Sequence, residues 1–265
     1  MSFSAIRERK SVLIKKCEGG GNVGNNVRHL TINGSALTSG GTFHKVTIRG
    51  DATINGDLWC DRCKVFGNAD VSGNIKTKLF KIFGQANIRG NVQGETIKLF
   101  GEINLRGNAM ASDFHLRGAA HVDGDVTGGT IHGYGEMKVS RDCEADVFSV
   151  KGAVEIGSTL NAEQVELYLH FADSRIAEIG GKTIQVKRSK ALNMLHFLKR
   201  FAPDSAKLKA EMIEGDDIYL EHTDAKIVRG DRIIIGPGCN IDLVEYHTSF
   251  QQDEKATVKE KRKRS

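Results

Sequence analysis

Between residues 46 and 165 the apolar residues fall into columns that repeat every seventeen positions. One column reads Val46, Cys63, Phe80, Ile97, Phe114, Ile131, Phe148 and Val165, and a second, two residues on, reads Ile48, Val65, Ile82, Leu99, Leu116, Gly133 and Val150. Three further columns begin at Ala52, Ile54 and Leu58 and keep the same ruler. Columns paired at a spacing of two put both side chains on one face of an extended strand. The pattern therefore predicts short strands with one face inward, separated by corners.

Glycine marks the corners. Gly50, Gly67, Gly84, Gly101, Gly118, Gly135 and Gly152 stand seventeen apart, and a second series runs through 56, 73, 90, 107 and 124 before lapsing at Arg141 and Ser158. A repeat of this length makes a closed turn of roughly 56 Å at ~3.3 Å per residue, or three sides of five to six residues. Stacking such turns gives a triangular parallel β-helix, with each strand pairing with its equivalents above and below. Helical and leucine-rich repeats have longer periods. Hexapeptide coils need a strict six-residue aliphatic period, which is absent here.

The departures from the period divide the chain. Residues 1–26 combine basic residues with a Gly/Asn run and are predicted to be a flexible basic arm, with Leu30 to Gly34 opening the first coil and coils continuing through 187. Residues 188–209 carry a helical pattern ending at Pro203 and read as one short amphipathic insertion. The β pattern returns over 210–247, where Ile218 and Ile235, Ala225 and Asp242, and Ile227 and Val244 lie seventeen apart. Residues 248–265, with Lys255, Lys259, Lys261, Arg262, Lys263 and Arg264, are predicted to be a disordered basic tail.

Composition narrows the class. Of 265 residues 30 are Gly and 2 are Pro, and the apolar fraction is 39%, as expected when half of each strand faces water. No stretch is long and apolar enough for a spanning helix, and the N-terminus lacks a secretory pattern. The expectation is an intracellular protein. The 5 cysteines are odd in number and scattered, which argues against a disulfide framework. The net charge of +5 is concentrated in the C-terminal tail.

Catalytic, cofactor and metal residues are not expected. Trp59-Cys60-Asp61-Arg62-Cys63 has the spacing of a redox motif, but that chemistry needs the first cysteine at a helix N-terminus, and Cys63 shares its column with Phe80 and Ile97. No phosphate loop or H-E-x-x-H occurs. Outward columns are more informative: Lys64, Lys81 and Lys98 run beside Phe66, Phe83 and Phe100. Stacked aromatics can simply stabilise neighbouring rungs; the alternative is a lateral contact stripe. In the insertion, Leu195, Phe197, Leu198 and Phe201 among basic residues suit either a membrane surface or a helix packed on the solenoid. The open ends of a solenoid expose unpaired backbone and interior, which makes Leu30, Ile32, Ile241, Leu243 and Tyr246 candidates for end-on assembly.

The repeats Ile48-Arg49-Gly50 to Ile54-Asn55-Gly56-Asp57 and Ile88-Arg89-Gly90-Asn91-Val92 resemble those of bactofilins, bacterial polymer-forming cytoskeletal proteins. Ile213 to Leu220 and Ile235 to Tyr246 are similar to the last coils of a longer, Firmicutes-type branch. The resemblance implies a right-handed β-helix and nucleotide-independent, nonpolar filaments. It also implies a cytoplasmic protein peripheral at the inner face of the cell membrane, partnered by itself and by envelope or motility machinery, with no nucleic acid. A non-polymerising solenoid adaptor and, less well supported, an acyltransferase-like β-helix enzyme are the alternatives. The central coils carry no insertions from which an active-site cleft could be built.

Overall fold

The structure, a computed structural model, describes residues 11–17, 27–189 and 206–264. It is an all-β solenoid of about 12 coils. β1 (Ser11–Cys17) and the long β2 (Val27–Val65) are followed by the short strands β3 (Asn68–Val71), β4 (Ile75–Ile82), β5 (Gln85–Ile88), β6 (Val92–Leu99) and β7 (Glu102–Leu105). Longer strands that bend through corners come next: β8 (Ala109–Val122), β9 (Val126–Val139), β10 (Cys143–Leu169) and β11 (Ser174–Arg188). β12 (Leu208–Leu220), β13 (Thr223–Ile235), β14 (Asn240–Gln252) and β15 (Thr257–Lys263) complete the stack.

The predicted columns are literal stacks. Phe80 pairs in parallel with Ile97, Ile97 with Phe114, Phe114 with Ile131, and Phe148 with Ile131, so ring and branched chain alternate up the interior. All five are at most 2% exposed. Alternation of large and small side chains lets successive layers interdigitate, as close packing requires.

The corner glycines are required by proximity between coils. A Cβ on Gly67 would lie 2.2 Å from the carbonyl oxygen of Gly50, and one on Gly101 would lie 2.0 Å from that of Gly84. Gly50 itself has φ +124, a conformation that L side chains rarely adopt.

Several boundaries differ from the sequence reading. Within the expected arm, Ser11–Cys17 forms a strand paired antiparallel to residues 27–33; residues 1–10 and 18–26 lie outside the described residues. Residues 190–205 of the expected helical insertion, with its four apolar residues Leu195, Phe197, Leu198 and Phe201, also lie outside them. β11 runs through Arg188, and β12 resumes at Leu208, two residues before the expected return of the β pattern.

From β12 into β14 the register falls below seventeen before returning to it at β15. Ile218 pairs with Ile233, Ala225 with Ile241, and Ile227 with Leu243, because residues are dropped at corners while strands keep their inward columns. The tail is not disordered over 248–264. β14 continues to Gln252, and β15 adds a further strand with Val258 beside Ile241. Its charges point outward, and Lys259 reaches Asp242 at 2.7 Å. Pairing with β14 therefore outweighs overall basicity in deciding that this segment folds.

Candidate assembly surfaces

Asn and Asp in the column after the second glycine series tie successive coils at one corner. The N–H groups of Asn74, Asn91 and Asn108 donate to the side-chain oxygens of Asp57, Asn74 and Asn91 at 2.7, 2.8 and 2.8 Å. Asp125, Asp142 and Thr159 continue the relay at 3.0, 3.3 and 3.0 Å. Its sequence signal is a small polar residue recurring after each glycine, which apolar columns alone do not reveal. Bonds donated by Ser158 and by the Thr159 N–H hold the Asp142 carboxyl below its ordinary range.

A polar trough of about 640 Å³ runs between two outward columns that include Asn87, Asn104 and His121. Its amides bond one another: Asn87 Nδ2 donates to Asp70 Oδ1 at 2.8 Å, and Asn104 Nδ2 donates to Asn87 Oδ1 at 3.1 Å. The column through Asp70, Asn87 and Asn104 is thus bonded along itself.

One side of the triangle has a different character. Phe66, Phe83 and Phe100 are 47%, 43% and 41% exposed, each at the bend just past the end of β2, β4 or β6. Their rings stack at 5.0 Å, tilted by only 2° and 5°. Arg49 lies over Phe66, with Cζ 5.8 Å from the ring centroid, and Lys151 lies over Tyr134 at 5.9 Å. Lys64, Lys81 and Lys98 run in the next outward column of the same side, followed by His115, His132, Ser149 and Glu166. The structure thus brings together the six residues of the expected stripe and extends it in both directions along the rod.

The two ends differ. At the N-terminal end Leu30 and Ile32 are fully buried, and β1 pairs along the strand that contains them. At the C-terminal end Ile241 is buried beneath the last coil, and Leu243 pairs with Glu260 of β15. Tyr246 stacks on Phe250 at 5.5 Å. Phe250 and Val258, half-buried, end the interior columns, and β15 is the outermost strand of the sheet. Of the five expected end-on residues, only Tyr246 belongs to this terminal cluster. Phe250 and Val258 were missed, because both lie in the expected tail.

Cys63 is buried, as its column predicts. A hydrogen bond with Cys63 lowers the Cys60 thiol from its ordinary value, while the same bond and burial push Cys63 well up. Burial alone raises Cys143 to about 12. Asp61, bonded by His44 at 2.5 Å and by Lys78 at 3.3 Å, is held below the usual carboxylate range. Among the described residues no group of three or more His, Cys, Asp or Glu side chains could hold a metal ion. No helix among them is long and apolar enough to cross a membrane.

Residues 47–144 match the family model Bactofilin, described as polymer-forming cytoskeletal. The chain is 42% identical over 104 residues to the uncharacterized protein YhbF of Bacillus subtilis (strain 168), covering 39% of this chain and 41% of that one. It is 46% identical over 99 residues to the uncharacterized protein YhbE of the same organism, covering 37% and 40%. The matched region therefore spans about two fifths of the length of these relatives. No solved structure matches the chain.

Proposed function

We propose, for a chain whose residues 47–144 form a bactofilin domain, a structural scaffold that assembles end to end into filaments. The observation that carries this reading is the C-terminal coil, where an unpaired outer edge of β15 lies over interior columns ending in Phe250 and Val258. Another coil laid on this edge would repeat the parallel pairing that already joins neighbouring coils from β2 to β15. Assembly by that route draws its free energy from stacking and needs no nucleotide. The proposal extends to peripheral attachment at the inner face of the cell membrane through residues 190–205, on the strength of their apolar and basic residues, and to service as a platform for envelope machinery.

Negative-stain microscopy of the purified full chain without nucleotide tests the reading. Filaments with a uniform axial repeat support it. A monodisperse rod under all salt conditions would replace it with the adaptor reading, which is favoured by the strand β1 already lying on the N-terminal end. Flotation with anionic liposomes, comparing the full chain with a 190–205 deletion, tests the attachment; equal flotation removes the role of that segment.

A further inference from the structure

The stacked-phenylalanine side of the rod is complementary to itself when reversed. Two of the outward columns on this side differ between its halves. From Arg49 to Arg117 they carry five cations, Arg49, Lys64, Lys81, Lys98 and Arg117, and no carboxylate. From Tyr134 onward Lys151 and Lys187 are balanced by Glu166 and Glu221, the last lining a hollow with both lysines. His115 and His132, in edge contact at 4.2 Å, mark the midpoint.

We propose that this side is a docking surface for a second copy of the chain, laid side by side and antiparallel. The two-fold axis crosses the rod between the coils of His115 and His132. Such an interface is isologous, so each contact occurs twice. Counting coils outward from the axis, Arg117 meets Tyr134, Phe100 meets Lys151, and Phe83 meets Tyr168. One coil further out Phe66 meets Lys187. In the neighbouring column Lys81 meets Glu166. No cation thus faces another cation: Lys81 meets a carboxylate, Lys98 and Lys64 meet Ser149 and Gln185, and Arg117, Lys151 and Lys187 meet aromatic side chains.

Charge selects the antiparallel arrangement. A parallel pair would bring the five-cation half against itself, with no carboxylate in those two columns to offset it. Reversal sets that half against the balanced one and lowers like-charge repulsion. The ring geometry also bears on the partner's class. Rings stacked at 5.0 Å leave no gap for an inserted base and present their edges outward, which suits a second flat face better than a nucleic-acid strand. Ten coils at ~4.8 Å and a side of about five residues at ~3.3 Å give roughly 800 Å² per copy. That is close to the ~800 Å² per partner of a standard interface. The proposal does not depend on end-on assembly, which uses other surfaces.

The test is a double variant, Lys81→Cys with Glu166→Cys, in the full chain. Within one molecule these positions are five coils, or ~24 Å, apart, too far for a disulfide. A covalent dimer on a non-reducing gel, absent from the wild type and from each single variant, is the expected result. In parallel, Lys81→Glu and Glu166→Lys should each weaken the dimer about tenfold by sedimentation, and the double swap should restore it. A wild type that stays monomeric, together with a double variant that forms no cross-link, overturns the proposal. So does a wild type that binds phosphatidylglycerol vesicles through Phe66, Phe83 and Phe100 in place of a second copy. Cross-linked dimers without filaments would sink the end-on reading alone; filaments of single-rod width without the cross-link would sink this one alone.

Discussion

Asn74 and Asn91 hold the same place in adjacent coils, and the side-chain oxygen of Asn74 accepts the backbone N–H of Asn91 at 2.8 Å. Each residue in this relay satisfies a backbone donor of the coil above while its own N–H is satisfied from below. The corner thereby gains a bond that the strand ladders cannot supply, because the chain turns there.

Breaking one link should therefore be felt. Asn91→Ala removes the acceptor for the Asn108 N–H and is expected to cost about 1 kcal/mol, the net value of one such bond. Chemical denaturation of the full chain measures it. Asn91→Asp, which keeps an oxygen in place as Asp125 does, should recover most of the loss.

Two glycine substitutions separate close approach from backbone strain. Gly67→Ala drives a methyl against the Gly50 carbonyl at 2.2 Å and should cost ~3 kcal/mol or more, because two coils must part. Gly34, with φ +81, has open space for 4 Å around the point where a methyl would stand, so Gly34→Ala should cost only the ~1 kcal/mol of a left-handed backbone. Equal losses would contradict the proximity argument.

Acid should loosen the middle of the rod. Desolvation, then His132 and Lys98, lower the pKa of His115 from 6.5, with Asp113 opposing them. The folded state thus binds fewer protons at His115 than the unfolded chain, and stability rises with pH. The contribution is complete above about pH 6.5 and declines as pH falls below it. Denaturation midpoints at pH 7 and 5 should converge for His115→Gln relative to wild type.

Salt should promote end-on assembly. β15 carries Lys259, Lys261, Arg262 and Lys263 against Glu260 alone, and β1 contributes Lys15 and Lys16 at the other end. Like-charged ends repel, and the screening length falls from ~30 Å at 0.01 M to ~10 Å at 0.1 M. Light scattering at constant protein concentration should rise across that range. A decrease would mean that the ends attract through charge.

Most of the fold was legible because inward columns repeat without interruption from Val46 to Val165, and burial follows from period alone. The final coils were misjudged because Ile218 pairs with Ile233, not Ile235. Both are inward isoleucines two apart, so composition cannot choose between them. β15 was missed because its charges dominate its composition, whereas pairing depends on Val258 falling beside Ile241. On the candidate surfaces, the sequence showed Phe66, Phe83 and Phe100 in register. That they stack co-facially while staying nearly half exposed depends on side-chain packing, which no spacing reveals. β1 was unpredictable for another reason: its antiparallel pairing lies outside the repeat that makes everything else readable.

The seventeen-residue coil also turns chain length into physical distance. Every coil adds one strand spacing of ~4.8 Å whichever side chains it carries, so duplicating or excising a whole coil between Gly50 and Gly152 leaves every column in phase. A change of five residues at the same place would rotate polar positions into the interior and break the stack. Such a rod is a gauge, and its reach can be edited only in whole steps.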